Sequence, residues 1–89
     1  MQVRWTTLAS EDLQRITRHI KREHPTAAGQ VARTLYDGAM SLEIMPNRGR
    51  IGRIAGTREL VFVPFIIVYR IKADAVEILR IYHGAQDWP

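Results

Sequence analysis

The stretch from Leu60 to Tyr69 constrains the fold most, because it is apolar throughout and is interrupted by Pro64. It is far shorter than the roughly 18 residues that a membrane-spanning helix needs. Its β-branched and aromatic side chains favour strands, and a proline is excluded from the middle of a central strand. The stretch therefore predicts two strands that meet at a corner at Pro64 and belong to the protein core.

The C-terminal half extends this pattern to three successive strands. The runs "RELVFV", "FIIVYRI" and "VEILRIYH" are strand-like, and short links such as "KADA" separate them. Short links favour antiparallel pairing. The middle run is the most apolar, which is typical of a central strand with a neighbour on each edge.

The N-terminal half predicts a short strand at Arg4 to Thr6 and then two helices. Apolar residues recur at helical spacing from Leu8 to Ile20 and again from Ala28 to Leu42, and His24-Pro25 separates the two segments. Thr7 or Ser10 is available to cap the first helix. Acidic residues are expected in its first turn and basic residues near its end.

Together these elements predict an α+β fold with two layers and the order β-α-α-β-β-β. Residues 1–89 are expected to form a single domain in which the helical hairpin covers one face of a mainly antiparallel sheet. The other face would then be open, and it is the expected working surface.

Composition excludes several classes of function. The chain has no cysteine, which rules out disulfides, thiolate zinc sites and cysteine nucleophiles. Its N-terminus carries no export signal, so the cytoplasm is the expected location, with no membrane association. The formal charge of +4 favours an acidic partner. No ligand-like spacing of histidines or carboxylates points to a metal, and no cofactor is expected.

Alternation along the last strand assigns its side chains to two faces. Leu79 and Ile81 are expected to face the helices, which leaves Arg80 and Tyr82 on the open face. The reverse assignment would bury Val76 and Ile78 instead and would place an arginine in the interior.

Arg70 is expected beside Arg80 on the open face, where two guanidinium groups could each bind a phosphate or a carboxylate in a bidentate manner. The alternative is that each arginine pairs with a cross-strand carboxylate such as Glu59 or Glu77.

The segment "PNRGRIGRIAGT" at residues 46–57 predicts a loop. With Arg58, it contributes four arginines, Arg48, Arg50, Arg53 and Arg58, with no acidic residue between them. This loop is either a cationic binding surface or a solvated, mobile connection.

His83 precedes Gly84 at the end of the last strand, and it is a candidate general acid or base. The alternative is a hydrogen-bonding surface residue. His19 and His24 are expected to be solvated. Trp88 is expected to anchor the terminus, holding His83, Gln86 and Asp87 at one rim beside the arginine loop.

The motifs "GTREL", "VYRI", "VEILR" and "HGAQDWP", in this order, resemble the RelE/ParE family of bacterial toxins. An early tryptophan, "DL..I" in the first helix, "P.AA" at the start of the second and "P..GR" in the loop extend the resemblance over nearly the whole chain. These toxins belong to type II toxin–antitoxin modules, also called plasmid stabilisation modules. The resemblance implies a toxin that arrests growth when free and is inactivated by a cognate acidic antitoxin.

The resemblance implies one of two activities. ParE-like members poison DNA gyrase. RelE-like members cleave messenger RNA on the ribosome without a metal, by attack of the 2′-hydroxyl on its own phosphate; here His83, Arg80, Arg70 and Arg58 would be catalytic.

Three departures from the RNA-cleaving pattern favour gyrase poisoning. The central strand has isoleucines where that branch has an arginine, the only lysines are Lys21 and Lys72, and no tail follows that could supply a catalytic tyrosine. The expected target-binding residues are Arg48, Arg50, Arg53, Tyr82 and Gln86.

Overall fold

Residues 1–86 are described by the computed structural model, in which two helices pack on one face of a five-stranded sheet. The elements in chain order are β1 (Gln2–Trp5), α1 (Thr7–Glu23), α2 (Pro25–Met40), a 3-10 helix (Ser41–Glu43), β2 (Arg50–Ile51), β3 (Arg58–Phe62), β4 (Phe65–Lys72) and β5 (Ala75–His83). The strand order is β1-β5-β4-β3-β2, and β1 runs parallel to β5 while the other pairs are antiparallel. The predicted α+β fold is confirmed. The short strand β2 lies in the segment that the sequence assigned to a loop.

Thr6 begins the helical hairpin, and not Thr7 or Ser10 as predicted. Its hydroxyl accepts the backbone N–H of Ala9 at 3.1 Å and donates to the carbonyl of Ile78 at 2.8 Å. The cap therefore also fastens the start of α1 to β5. Because α1 begins at Thr7, its first turn contains no acidic residue, whereas Lys21 and Arg22 occupy its last turn as expected.

The break between the helices lies where the sequence predicts it. His24, with φ −143° and ψ 79°, lies outside the helical region and ends α1, and Pro25 opens α2. Proline suits this position because the N–H it lacks would have no partner inside the helix. Neither helix within residues 1–86 combines the length and apolar character of a membrane-spanning segment.

The main core lies between the helices and the sheet. Its buried members are Ala9, Leu35, Ala39 and Leu42 from the helical layer and Leu60, Ile67, Tyr69, Val76, Ile78 and Ile81 from the sheet. Leu8, which the helical pattern placed on the apolar face, is exposed. The helix turns Ala9 inward in its place.

A β-bulge in β5 decides which side chains reach this core. Tyr69 lies opposite Ile78 and Val68 opposite Arg80, so Leu79 has no partner in β4. An extra residue in one strand reverses the alternation beyond it. Residues before the bulge, such as Val76, and Ile81 after it therefore face the helices.

The prediction for Ile81 is confirmed, and the prediction for Leu79 is wrong. Leu79 packs with Tyr82 against Ile66 and Val68 on the face opposite the helices. That face is not bare, since Ile66 and Val68 are only 5% and 2% exposed.

Candidate functional site

The face of the sheet opposite the helices carries a depression of about 360 Å³, which we call the open-face pocket. Its walls are Val68 and Leu79 from the sheet and the loop at residues 54–57. The strands contribute three polar or charged side chains to its lining: Arg70 from β4 and Arg80 and Tyr82 from β5. The guanidinium carbon of Arg80 lies 5.0 Å from the centroid of the Tyr82 ring.

Arg80 is held by Asp12, a residue that the sequence analysis did not single out. Its Nε donates to Asp12 Oδ2 at 2.8 Å, and the same oxygen accepts the backbone N–H of Ile81 at 2.9 Å. The hydrogen bond that Arg80 donates to Asp12 raises the pKa of Arg80 above its already high value. β1 pairs with β5 only as far as Ile78, so the backbone N–H of Ile81 lies beyond the end of this pairing. Asp12 accepts that N–H in place of a neighbouring strand.

The position of Asp12 in the sequence already indicates that it needs a buried partner. It lies three residues after Ala9 and four before Ile16, on the stripe of α1 that faces the sheet. A carboxylate on an apolar stripe requires a cation or several N–H donors. A strand arginine close to the core is the natural partner.

Arg70 pairs with Glu77, one of the two carboxylates proposed for it from the sequence. Its Nε lies 2.6 Å from Glu77 Oε1, and the hydrogen bond lowers the pKa of Glu77 below the usual glutamate range. Arg70 and Arg80 thus share one pocket, but each is already bound to a carboxylate.

Four ion pairs within residues 1–86 share one feature: the arginine is more exposed than the carboxylate. The side chains of Arg50, Arg70 and Arg80 are 57%, 44% and 33% exposed, whereas those of Glu59 and Asp12 are each 1% exposed. Arg15, which also binds Asp12, follows the same rule. The carboxylates orient the guanidinium groups from beneath, and the exposed side of each pair is cationic.

Glu59 organises the arginine loop. Its Oε1 accepts Arg50 Nε at 3.0 Å, and its Oε2 accepts the backbone N–H of Arg53 at 2.9 Å. Burial raises the pKa of Glu59, but these hydrogen bonds from Arg53 and Arg50 outweigh it, and the pKa lies below its usual range.

Tyr69 secures the other end of the loop from inside the core. Its hydroxyl accepts the N–H of Gly49 at 2.9 Å and donates to the carbonyl of Pro46 at 2.7 Å. Arg58 donates to the carbonyl of Gly49 at 2.7 Å, and Arg48 donates to the Ser41 hydroxyl at 2.8 Å. The loop is therefore anchored to the core through Tyr69 and Arg58, although most of its residues are exposed.

His83 and Arg58 lie away from the open-face pocket. Arg58 is directly opposite Tyr69, and His83 is directly opposite Phe65, on the side of the sheet that the helices cover. Phe65 and Arg70 are five residues apart along β4, which corresponds to about 17 Å. Arg58 is therefore not part of the predicted cationic pocket.

The environment of His83 also differs from the predicted rim beside the arginine loop. Its Nδ1 accepts the N–H of Ala85 at 3.0 Å, and its backbone N–H donates to Gln86 Oε1 at 2.6 Å. It lines a groove with α1 instead. The predictions for Asp87 and Trp88 lie outside the described residues.

The family model described as "ParE toxin of type II toxin-antitoxin system, parDE" matches residues 3–88. The chain belongs to the ParE toxin family. The resemblance to RelE/ParE toxins that the sequence motifs carry is thereby confirmed, and this chain is a toxin of a type II toxin–antitoxin system.

Relatives of this ParE-family toxin match along nearly their whole length. It is 42% identical over 90 residues to "Putative toxin Y4kP" of Sinorhizobium fredii, covering 99% of this chain and 93% of that protein. It is also 42% identical over 86 residues to "Toxin RelE2" of Caulobacter vibrioides, covering 96% of this chain and 97% of that protein.

Solved structures agree with the ParE-type fold. A chain from the chromosomal ParDE system of P. aeruginosa superposes with a TM-score of 0.86 at 28% identity, over 93% of this chain and 95% of that one. A chain of the toxin–antitoxin complex RelBE2 from Mycobacterium tuberculosis gives a TM-score of 0.69 at 27% identity, over 92% and 95%.

Proposed function

We propose that this toxin arrests growth by binding and poisoning DNA gyrase in the cytoplasm, with no catalytic step of its own. One observation carries the proposal: the residues that RNA cleavage would need lie at separate places. Arg70 and Arg80 line the open-face pocket, whereas Arg58 and His83 lie on the opposite side of the sheet.

Metal-free RNA cleavage needs several groups at one phosphate. A base must reach the 2′-hydroxyl, an acid must reach the leaving oxygen, and cations must stabilise the developing charge. His83 is about 17 Å along β4 from the row of Arg70 and on the other face, so one phosphate cannot contact both. In addition, the Nδ1 lone pair of His83 is occupied by the N–H of Ala85.

The open face is better suited to binding than to turnover. Arg50, Arg70 and Arg80 are held in place by Glu59, Glu77 and Asp12, and their side chains stay partly exposed. Fixed guanidinium groups lose little conformational entropy when a partner binds. Arg53 and Tyr82 complete this surface in our proposal, which fits an acidic patch on a protein target.

Two residues of the expected target-binding set are less suited to that role. Arg48 is bound to Ser41 and lies over the ring of Phe62, at 5.6 Å from its centroid. Gln86 lies beside His83 at the far end of the sheet. We therefore place the target surface on Arg50, Arg53, Arg70, Arg80 and Tyr82.

A cognate acidic antitoxin is the second partner in this proposal. The solved relatives come from a ParDE system and from a RelBE2 toxin–antitoxin complex. The net charge of +4 supports an acidic antitoxin here as well.

The test uses purified gyrase with supercoiled DNA and, in parallel, translated messages on ribosomes. We expect stabilised double-strand cleavage complexes and intact messages. The double variant Arg50→Gln with Arg70→Gln should lose most of the effect. Arg33→Gln with Arg18→Gln removes the same charge from exposed helix positions and should retain it. Cleaved messages with unaffected gyrase would overturn the proposal.

Messenger RNA cleavage is the second candidate, and one observation favours it. Arg70, Arg80 and Tyr82 share one pocket, where two guanidinium groups could bind a phosphate while the phenol transfers a proton. Codon-specific cleavage that is lost in Tyr82→Phe and retained in His83→Ala would support this mechanism.

A further inference from the structure

The open-face pocket combines an apolar wall with two guanidinium groups. Two residues of the loop and two of the sheet form the apolar wall: Ile54, Ala55, Val68 and Leu79. The pocket volume of about 360 Å³ exceeds the roughly 150 Å³ that holds a benzene ring inside a protein core. The pocket therefore has room for an apolar side chain together with an anionic group beside it.

The β-bulge in β5 places an apolar and a cationic side chain next to each other. In a regular strand, neighbouring side chains point to opposite faces. Because Leu79 is the extra residue, it packs against Val68 on the open face, and the next residue, Arg80, lies directly opposite Val68. Both Leu79 and Arg80 line the pocket as a result, so one ligand can contact both.

The loop side of the pocket is a closed turn. The backbone N–H and the hydroxyl of Thr57 both donate to the carbonyl of Ile54, at 3.1 Å and 2.6 Å. Gly56 has a φ of 81°, a left-handed conformation that suits glycine. The N–H of Gly52 donates to the carbonyl of Thr57 at 2.9 Å and connects the turn to the end of β2. A wall held by these bonds exists before a partner arrives, so binding has little of the loop left to order.

The ion pairs around the pocket leave a small excess of positive charge. Arg70 and Glu77 neutralise each other. Asp12 pairs with both Arg80 and Arg15, so two guanidinium groups share one carboxylate and the group keeps a charge of +1. A single carboxylate from a partner matches this excess, and guanidinium groups bind carboxylates in defined geometry.

The same features are poorly suited to a nucleic-acid strand. Such a strand carries a charge at every nucleotide and requires a row of cations that are not already neutralised. Its bases also require an open aromatic face. One face of the Tyr82 ring is covered by the guanidinium of Arg80, whose carbon lies 5.0 Å from the ring centroid.

We propose that the open-face pocket binds an apolar side chain of the target protein that is followed in the target by an aspartate or glutamate. The apolar side chain packs on Leu79 and the loop wall, and the carboxylate accepts hydrogen bonds from Arg80 and Arg70. This inference rests on the protein target proposed above, and it names the feature of the target that the surface recognises. Anchors of this kind, buried in a pocket and surrounded by polar contacts, contribute much of the binding energy of protein interfaces.

The probe is a blocked tetrapeptide in which leucine and aspartate stand between two glycines. One counterpart has asparagine in place of aspartate, and another has alanine in place of leucine. Titration of the full chain, followed by nuclear magnetic resonance, measures the affinity and maps the contacted amides. We expect shifts at Leu79, at Arg80 and within residues 54–57. Each counterpart should bind about tenfold more weakly, because it loses either a charge-assisted hydrogen bond or buried methyl groups.

Matched variants assign the binding to the pocket. Ala55→Phe fills part of the pocket while both arginines stay, and it should abolish peptide binding. Val63→Phe adds the same ring at a position that is 88% exposed and outside the pocket, and it should bind as the parent does.

A third variant separates the two contacts. Arg80→Gln should lose the preference for aspartate over asparagine and keep the preference for leucine over alanine. Circular dichroism checks that it is folded. Arg70→Gln, whose parent side chain is 44% exposed, provides the same comparison if Arg80→Gln does not fold.

The inference is overturned if the leucine–aspartate peptide shifts no residue of the pocket, if either counterpart binds equally well, or if adenosine monophosphate binds there more tightly than the peptide. These titrations contain no gyrase, so their failure leaves gyrase poisoning through the rest of the surface unaffected. Conversely, a toxin that does not poison gyrase can still bind the peptide as described, which would direct the search to another protein target.

Discussion

Replacing Asp12 by alanine tests whether one buried carboxylate joins α1 to the free edge of β5. The side chain is 1% exposed and accepts the backbone N–H of Ile81, the guanidinium of Arg80 and that of Arg15. Alanine would leave the Ile81 N–H without its acceptor, beside two arginines that have lost their counter-charge.

The expected loss can be worked out contact by contact. A buried N–H without a partner costs about 1–3 kcal/mol. The pair with Arg80 contributes about 1 kcal/mol, since that guanidinium is one-third exposed, and the more exposed Arg15 adds under about 0.5 kcal/mol. Asp12→Ala should therefore lower the free energy of unfolding by about 2–4 kcal/mol, a large share of the 5–15 kcal/mol typical of a small domain.

Urea denaturation followed by circular dichroism measures this change. Asp12→Asn is the closest control, because it keeps one acceptor oxygen for Ile81 while it removes the charge and replaces the other oxygen by an NH2 group that cannot accept from Arg15; it should cost about half as much. A double-mutant cycle with Arg80→Gln should give a coupling of about 1 kcal/mol. A loss below about 0.5 kcal/mol for Asp12→Ala would refute the reasoning.

Three further predictions concern the helices and the arginine loop. Gly29→Ala adds a methyl group that meets no atom within 4 Å, and it should stabilise α2 by about 0.5–1 kcal/mol. Gly38→Ala would collide with the Phe62 ring and should destabilise the protein by about 1–3 kcal/mol. Thermal unfolding compares the two variants. Tyr69→Phe removes two hydrogen bonds to the loop, so the free energy of unfolding measured in urea should fall by about 1–2 kcal/mol. Proteolysis within residues 46–57 should become faster. An unchanged cleavage rate would argue against the anchoring role. The pKa of Glu59 is lowered in the folded state, so the ionised carboxylate stabilises the fold above about pH 4.5, the usual value, and this stabilisation is lost as the pH falls through the folded pKa. Glu59→Gln should therefore be less stable than the parent near neutral pH. A difference in stability that does not narrow in acid would contradict this.

Local patterns in the sequence predicted the two helices and four of the five strands in their order, but assigned the short strand β2 to a loop. The break at His24-Pro25, the helical spacing of apolar residues and the corner at Pro64 are properties of short segments, and the structure confirms each of them. The motifs likewise predicted the RelE/ParE family, which the match over residues 3–88 confirms. These features depend on backbone sterics and on periodicity, which neighbouring residues are enough to specify.

The composition of the candidate site could be predicted only in part. Arg70, Arg80 and Tyr82 were expected on one face and lie there, but the alternation rule could not reveal a bulge at Leu79, because a bulge depends on how β5 pairs with β4. That pairing placed Leu79 with Tyr82, away from the helices.

The sequence by itself determined that two helices and a mainly antiparallel sheet would form, since burial of its apolar stripes leaves few other arrangements. Tertiary structure alone decided which charges meet. Asp12 and Arg80 are 68 residues apart. His19 and His83 line one groove only because α1 lies along the end of β5. Electrostatic contacts depend on distance in space, and the chain brings such distant residues together only when it packs.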